Sequence, residues 1–186
     1  VSLYFDTESY LLYRHHHSGK PNRVKLRSRQ YVDTGDVFFE LKKKIKGSRT
    51  DKYRVRLAEI STTITAEAQQ LLQKHNVDGC DMLGKTWINY KRITLAAHAS
   101  EERVTLDLAM EFIDDNGKIQ FPEVVIAEIK QARLSRESPM LKALHARRIA
   151  PLRVSKYSLA VAMLVPSMKS NAFKAKINQV RKIINS

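Results

Sequence analysis

Along "RVKLRSRQYV" (Arg23–Val32) the cations Lys25, Arg27 and Arg29 recur at every second position, with Val24, Leu26 and Ser28 between them. Residues two apart on a strand share a face, so this spacing puts three cations on one side. A guanidinium fork matches phosphate oxygens in pairs, and an ammonium adds a compact positive charge. The alternation returns further on. Glu40, Lys42 and Lys44 oppose Phe39, Leu41 and Lys43; Lys52, Arg54 and Arg56 share a side, as do Tyr90, Arg92 and Thr94. Arg103, Thr105 and Asp107 oppose Val104, Leu106 and Leu108, while Ile126, Glu128 and Lys130 oppose Val125, Ala127 and Ile129.

Taken singly, each stretch reads as an amphipathic strand whose charged side meets water. Taken together they differ from a solvated face, which usually mixes signs: cations dominate here, and many are arginine. Helices later in the chain must cover the apolar sides, which leaves the charged sides to face one another if the sheet curls. An unpaired buried charge costs several kcal/mol, so such a lining implies that a polyanion and water fill the space. A barrel of about eight strands holds one small ligand. The interspersed carboxylates suit a hard divalent cation that bridges protein and phosphate.

The elements that position these residues follow from composition and punctuation. The chain has 186 residues, 43% of them hydrophobic, which is enough for one domain (1–186) with a real core and argues against disorder. Lys plus Arg is 33 against 19 Asp plus Glu, a net charge of +14 that points to a polyanionic partner. The single cysteine, Cys80, excludes a disulfide framework or a cysteine zinc site. No apolar run reaches the roughly 18 residues of a membrane span, and no signal peptide is visible, so a cytoplasmic, intracellular setting is expected. Strands are expected at Leu3–Phe5, Arg23–Val32, Val37–Ile45, Tyr53–Glu59, Thr86–Ala96, Arg103–Phe112 and Val124–Lys130, joined by "DTGD", "KGSRTD", "ASEE" and "DDNGKIQFPE". Helices are expected at Thr65–His75, with Thr65 as cap, at Ser138–Arg148, and over the amphipathic C-terminal stretch. "VSKYSLAVAMLV" should begin extended and turn helical. The sum is an α+β fold built on an antiparallel β-tunnel, a closed or nearly closed barrel with helices packed outside.

In this order, "SLYFDT", "KLRSRQY", "FELK", "KYRV", "YKR", "RVTLD", "EIK" and "SKY" resemble the VTC (vacuolar transporter chaperone) domain. That domain belongs to the triphosphate tunnel metalloenzyme superfamily, with the CYTH proteins. The resemblance runs from Ser2 to about Tyr157. It implies a basic tunnel that takes ATP, triphosphate or inorganic polyphosphate, with the C-terminal helix at one end, and phosphoryl transfer assisted by Mn²⁺ or Mg²⁺. It implies phosphate contacts at Lys25, Arg27, Arg29, Lys42, Lys52, Arg54, Arg92, Arg103, Lys130, Ser155 and Lys156, a metal ligand at Glu128, and no side-chain nucleophile. Asp107 is a weaker candidate. Family members open with a further strand, so this chain is expected to start after it. A non-catalytic polyphosphate-binding or sensing module and a triphosphate hydrolase are the alternatives. Nucleic acid is disfavoured, because Tyr31, Phe38 and Phe39 are not expected to make a stacking platform among the cations.

Other features read more plainly. His15, His16 and His17 are adjacent and cannot all face one ion; Cys80 has no His arranged near it; Trp87 is expected in the core. The C-terminal helix, with Lys174, Lys176, Arg181 and Lys182 against Phe173, Ile177, Val180, Ile183 and Ile184, is expected to pack on the barrel rather than on lipid.

Overall fold

The computed structural model describes residues 1–45, 50–96, 102–131 and 138–185. The expected links "KGSRTD" and "ASEE" fall mostly outside them. Eight strands form one antiparallel sheet: β1 (Ser2–Asp6), β2 (Arg23–Gln30), β3 (Val37–Lys44), β4 (Thr50–Leu57), β5 (Leu83–Ala96), β6 (Arg103–Asp114), β7 (Gly117–Phe121) and β8 (Ile126–Lys130). Their order is β4-β3-β2-β1-β5-β6-β7, and β8 pairs with the first half of β6. Five helices accompany it: α1 (Leu11–His17), α2 (Ala66–Lys74), α3 (Pro139–Ala146), α4 (Lys156–Leu164) and α5 (Lys174–Ile184). Among the described residues the sheet is open, with β4 at one end and β7 and β8 at the other, so the α+β expectation holds while the closed barrel does not. No helix of the described residues is long and apolar enough to cross a membrane.

Alternation gives the sheet two working faces. On one, Leu3, Phe5, Leu26, Phe39, Leu41 and Leu57 are buried with Ala68 and Leu72 of α2. Thr65 caps that helix by accepting from the Ala68 N–H at 3.3 Å, as expected. On the other face Tyr4, Ile88, Met110, Phe112 and Phe121 meet α4, whose Tyr157, Leu159, Ala160, Val161 and Leu164 are all buried, together with Phe173, Ile177 and Val180 at the C-terminus. A helix apolar on nearly every side belongs inside, and α4 fills the floor beneath the cations. Its first turn is closed by Ser155, whose Oγ accepts from the Ser158 N–H. As expected, the segment begins extended, at Ser155, and is helical from Lys156 onward.

Two details of β6 and β7 were not foreseen. "GKIQF" is a strand rather than part of a link, because Gly117, at φ +140, lets the chain turn straight back from Asp114. The β5–β6 register moves from Asn89 opposite Glu111 to Lys91 opposite Leu108, so two steps on β5 meet three on β6; Ala109, at φ 47, sits in this bulge. The bulge reverses the alternation. Met110 and Phe112 therefore join Asp107 on the inner face, and one strand supplies both apolar floor and ionic wall.

Candidate functional site

The cross-strand registers set the expected cations in rows. Lys25, Lys42 and Lys52 lie opposite one another; so do Arg27, Glu40 and Arg54, and then Arg29, Phe38 and Arg56. Across the sheet, Arg92 faces Asp107, Thr105 faces Glu128, and Arg103 faces Lys130. Side chains join the two halves. Lys25 Nζ donates to Ser155 Oγ at 2.7 Å, Arg29 donates to the Tyr90 hydroxyl, and Lys156 Nζ lies 2.6 Å from Asp107 Oδ2.

Two buried carboxylates organise the cations, and each holds a pair. Glu40, fully buried, accepts from Arg27 Nε at 2.7 Å and meets Lys52 Nζ at 2.6 Å. Burial opposes its ionisation, yet Arg27 and Lys52 bring its pKa down to about 2. Asp107, also fully buried, accepts from Arg92 Nε and Nη2 at 2.6 and 2.8 Å, a bidentate fork, and takes Lys156 as second partner. Its carboxyl too is held below the ordinary range against the effect of burial.

Lys25 and Lys42 have no such carboxylate in this arrangement. Burial, then the neighbouring Lys42, Arg23, Arg27 and Lys44, lowers the Lys25 pKa to about 7; burial and Arg27 lower that of Lys42 to about 8. Arg29 is 8% exposed and is held by aromatic rings, its guanidinium 5.2 Å from the centroids of both Tyr31 and Tyr90. Arg27 also donates to the Tyr4 hydroxyl at 3.1 Å, and Tyr4 stacks on Tyr157 with centroids 5.1 Å apart. Among the described residues the wall thus has two adjacent lysines, Lys25 and Lys42, seen with no carboxylate partner, next to cations fixed by buried anions.

The structure brings Lys25, Arg27, Arg29, Lys42, Lys52, Arg92, Ser155 and Lys156 into one connected constellation. Arg54 lies at its border, exposed on β4 with its guanidinium 4.5 Å from the Phe38 centroid. Arg103 and Lys130 stand apart at the exposed end of β6 and β8. Glu128 is half exposed, 3.5 Å from Lys130 Nζ. Glu40 was noted from sequence only as a member of a charged side, and Asp107 only as a weaker candidate. Their alternation with cations, Lys42 and Lys44 for Glu40 and Arg103 for Asp107, was the available signal. Tyr90 was placed by its spacing on the side of Arg92, whereas nothing in the spacing of Tyr4 and Tyr157 shows that their hydroxyls meet charged groups.

For a divalent ion the fit is partial and of a definite kind. Among the described residues no group of three His, Cys, Asp or Glu side chains could hold a metal. Glu40 and Asp107 are taken up by cations, which leaves Glu128 as the carboxylate on this wall for a metal. Mg²⁺-like ions are often held by one or two carboxylates, waters and substrate phosphates, so Glu128 suits an ion that arrives with its phosphate. His17 Nε2 lies 2.6 Å from Asn171 Oδ1, and His16 packs on Phe173 with its pKa lowered to about 3 by burial and then by Lys25 and other cations. Trp87 is partly buried against the α2-side core, as expected.

The family model of the VTC domain matches residues 1–165. No curated protein matches the chain.

Proposed function

The chain belongs to the VTC domain family, and from that premise we propose that it binds ATP and inorganic polyphosphate along the Lys25–Lys42 row and Arg27 and Arg29, and transfers phosphoryl groups between them. The observation that carries this reading is the charge left over. Glu40 is shared by Arg27 and Lys52, and Asp107 by Arg92 and Lys156, so each group keeps one net positive charge, while Lys25 and Lys42 stand side by side with their protons destabilised. A chain of phosphates supplies closely spaced negative charge of the kind that row requires.

In the transfer, a terminal oxygen of the polyphosphate attacks the γ-phosphorus, the bond from that phosphorus to the β–γ bridging oxygen breaks, and ADP leaves. Such transfers pass through a loose transition state with charge spread over the equatorial oxygens, so positioning and charge neutralisation do most of the work. Arg27 is oriented for this by Glu40 and Tyr4, and Arg29 by Tyr90, so neither has to reorganise when charge develops. Glu128 would hold Mn²⁺ or Mg²⁺, which when bound neutralises phosphate oxygens.

The test is incubation with ATP and Mn²⁺, assayed for long-chain polyphosphate and for free phosphate. Polymer is the expected product. Free phosphate alone would make the protein a hydrolase, and binding without turnover would make it a polyphosphate-binding module.

A further inference from the structure

Next to the buried cations the hairpin between β2 and β3 carries two aromatic rings. Tyr31 follows Arg29 by two residues and so continues the line of Lys25, Arg27 and Arg29. It is 39% exposed, where Arg27 and Arg29 are each 8% exposed, which places it at the solvent end of that line. Its backbone is fixed by the turn: its N–H donates to the Asp36 carbonyl at 2.8 Å, and its own carbonyl accepts from the Gly35 N–H at 2.8 Å. Phe38 meets it edge to face, with centroids 6.2 Å apart and an interplanar angle of 79°. Arg29 lies over Tyr31 and Arg54 over Phe38. No platform was expected from Tyr31 and Phe38, because only the hairpin brings them together.

We propose that Tyr31, backed by Phe38, is a stacking platform for the base of a nucleoside triphosphate whose phosphates lie along Arg29, Arg27 and the Lys25–Lys42 row. This rests on the functional reading above and adds which substrate the mouth selects. Inorganic polyphosphate has no flat group to use an exposed ring, whereas a nucleotide carries a π-face at one end and its charge at the other. Each two-residue step along β2 is about 7 Å, so a base on Tyr31 leaves room for a ribose before the phosphates reach the arginines. Tyrosine loses little conformational freedom on binding, and stacking tolerates any base because every base has a π-face. The platform therefore separates nucleotide from inorganic chain without reading the base by hydrogen bonds.

The experiment compares ATP with inorganic triphosphate, each titrated calorimetrically into the parent protein, Tyr31→Ala and Tyr31→Phe. Tyr31→Ala is expected to weaken ATP about tenfold, the loss that a removed base stack gives, while triphosphate changes by less than about twofold. Tyr31→Phe keeps the ring and is expected to keep ATP affinity. An equal loss of both ligands in Tyr31→Ala would overturn the proposal, since Tyr31 would then act only by holding Arg29. Unchanged ATP binding in Tyr31→Ala would overturn it as well. A parent that binds neither ligand would refute the functional reading itself, an outcome distinct from both.

Discussion

If phosphate is the counter-charge for Lys25 and Lys42, binding it must draw protons from solution, and the number can be worked out. In the free protein the two ammonium groups have pKa values of about 7 and about 8. At pH 8 about 0.9 of Lys25 and about 0.5 of Lys42 are neutral, so binding that recharges both takes up about 1.4 protons; at pH 6 it takes up about 0.1. Internal phosphates of long-chain polyphosphate stay ionised throughout this range, so the ligand contributes none. The sign follows from linkage. An anion raises both pKa values, affinity is complete below the free-state values, and it weakens as pH rises through 7 to 8. If both groups must be charged, the charged fractions at pH 9 are about 0.01 and 0.1, which sets an upper limit of roughly a thousandfold loss against pH 6. The assay is titration calorimetry at fixed ionic strength in two buffers of different ionisation heat, which counts the protons directly. Lys25→Arg carries a charge that does not titrate and should cut the uptake at pH 8 to about 0.5. Heats that do not depend on the buffer at pH 8 would refute the reasoning, because the lysines would then keep their protons without an anion.

The same two lysines bind fewer protons folded than unfolded once pH exceeds about 7, so the melting temperature of the free protein should rise between pH 7 and 9 and lose that rise with polyphosphate bound; scanning calorimetry with and without ligand reads both. Glu40→Gln leaves Arg27 buried beside Lys52 without its anion and should cost about 3–5 kcal/mol of stability. Polyphosphate should restore part of that loss, and an identical loss with ligand bound would show that Glu40 lies outside the phosphate field. Arg29→Ala removes a cation that pairs with no carboxylate among the described residues and should weaken polyphosphate binding at least tenfold with little change in stability, measured by titration and thermal melting. The slope of log affinity against log salt should also be shallower in that variant.

What was legible in the chain was the period of two. It placed Lys25, Arg27 and Arg29 together, and Glu40 with Lys42, because side chains alternate across any strand whatever it pairs with. Helix α2 was legible because Thr65 offers a cap and Glu67 a first-turn acid ahead of the apolar pair Leu71 and Leu72, of which Leu72 is the buried one; the burial of Ala68 was not read. Two kinds of information were missing. One is register: nothing local shows that Glu40 will stand between Arg27 and Arg54, or that Arg92 will meet Asp107. The other is interruption of the period. The bulge at Ala109 turns Met110 and Phe112 toward the same face as Asp107, and no alternating pattern encodes a positive φ at an alanine. The closed or nearly closed barrel was expected from strand count and from charged sides that would face one another, whereas the described strands leave β4 unpaired with the β7–β8 end, and side chains of β2, β5 and β6 meet across β1 and through α4 in Lys25–Ser155, Arg29–Tyr90 and Lys156–Asp107.

Two buried carboxylates explain how so much positive charge persists in the free molecule. Glu40 and Asp107 each answer two cations, and their depressed pKa values keep them ionised at any ordinary pH. Arginine cannot shed its proton, so Arg27 and Arg92 require these buried anions permanently. Lysine can shed its proton, and among the described residues no carboxylate is seen paired with Lys25 or Lys42, although Glu40 and Glu128 act on Lys42 from a distance. The division of residue types then has a physical reason. Arg27 and Arg92 stand where a buried carboxylate provides the counter-charge, whereas at Lys25 and Lys42 an empty wall can relax by releasing protons; Lys52 and Lys156, which share those carboxylates, and Arg29, which is held by tyrosines, fall outside this division. On this argument Lys25→Arg gives a protein whose free form is less stable at pH 8, where the parent has discharged that position and the variant has not. A Lys25→Arg melting temperature above that of the parent at pH 8 without ligand would break the link between residue type and counter-charge.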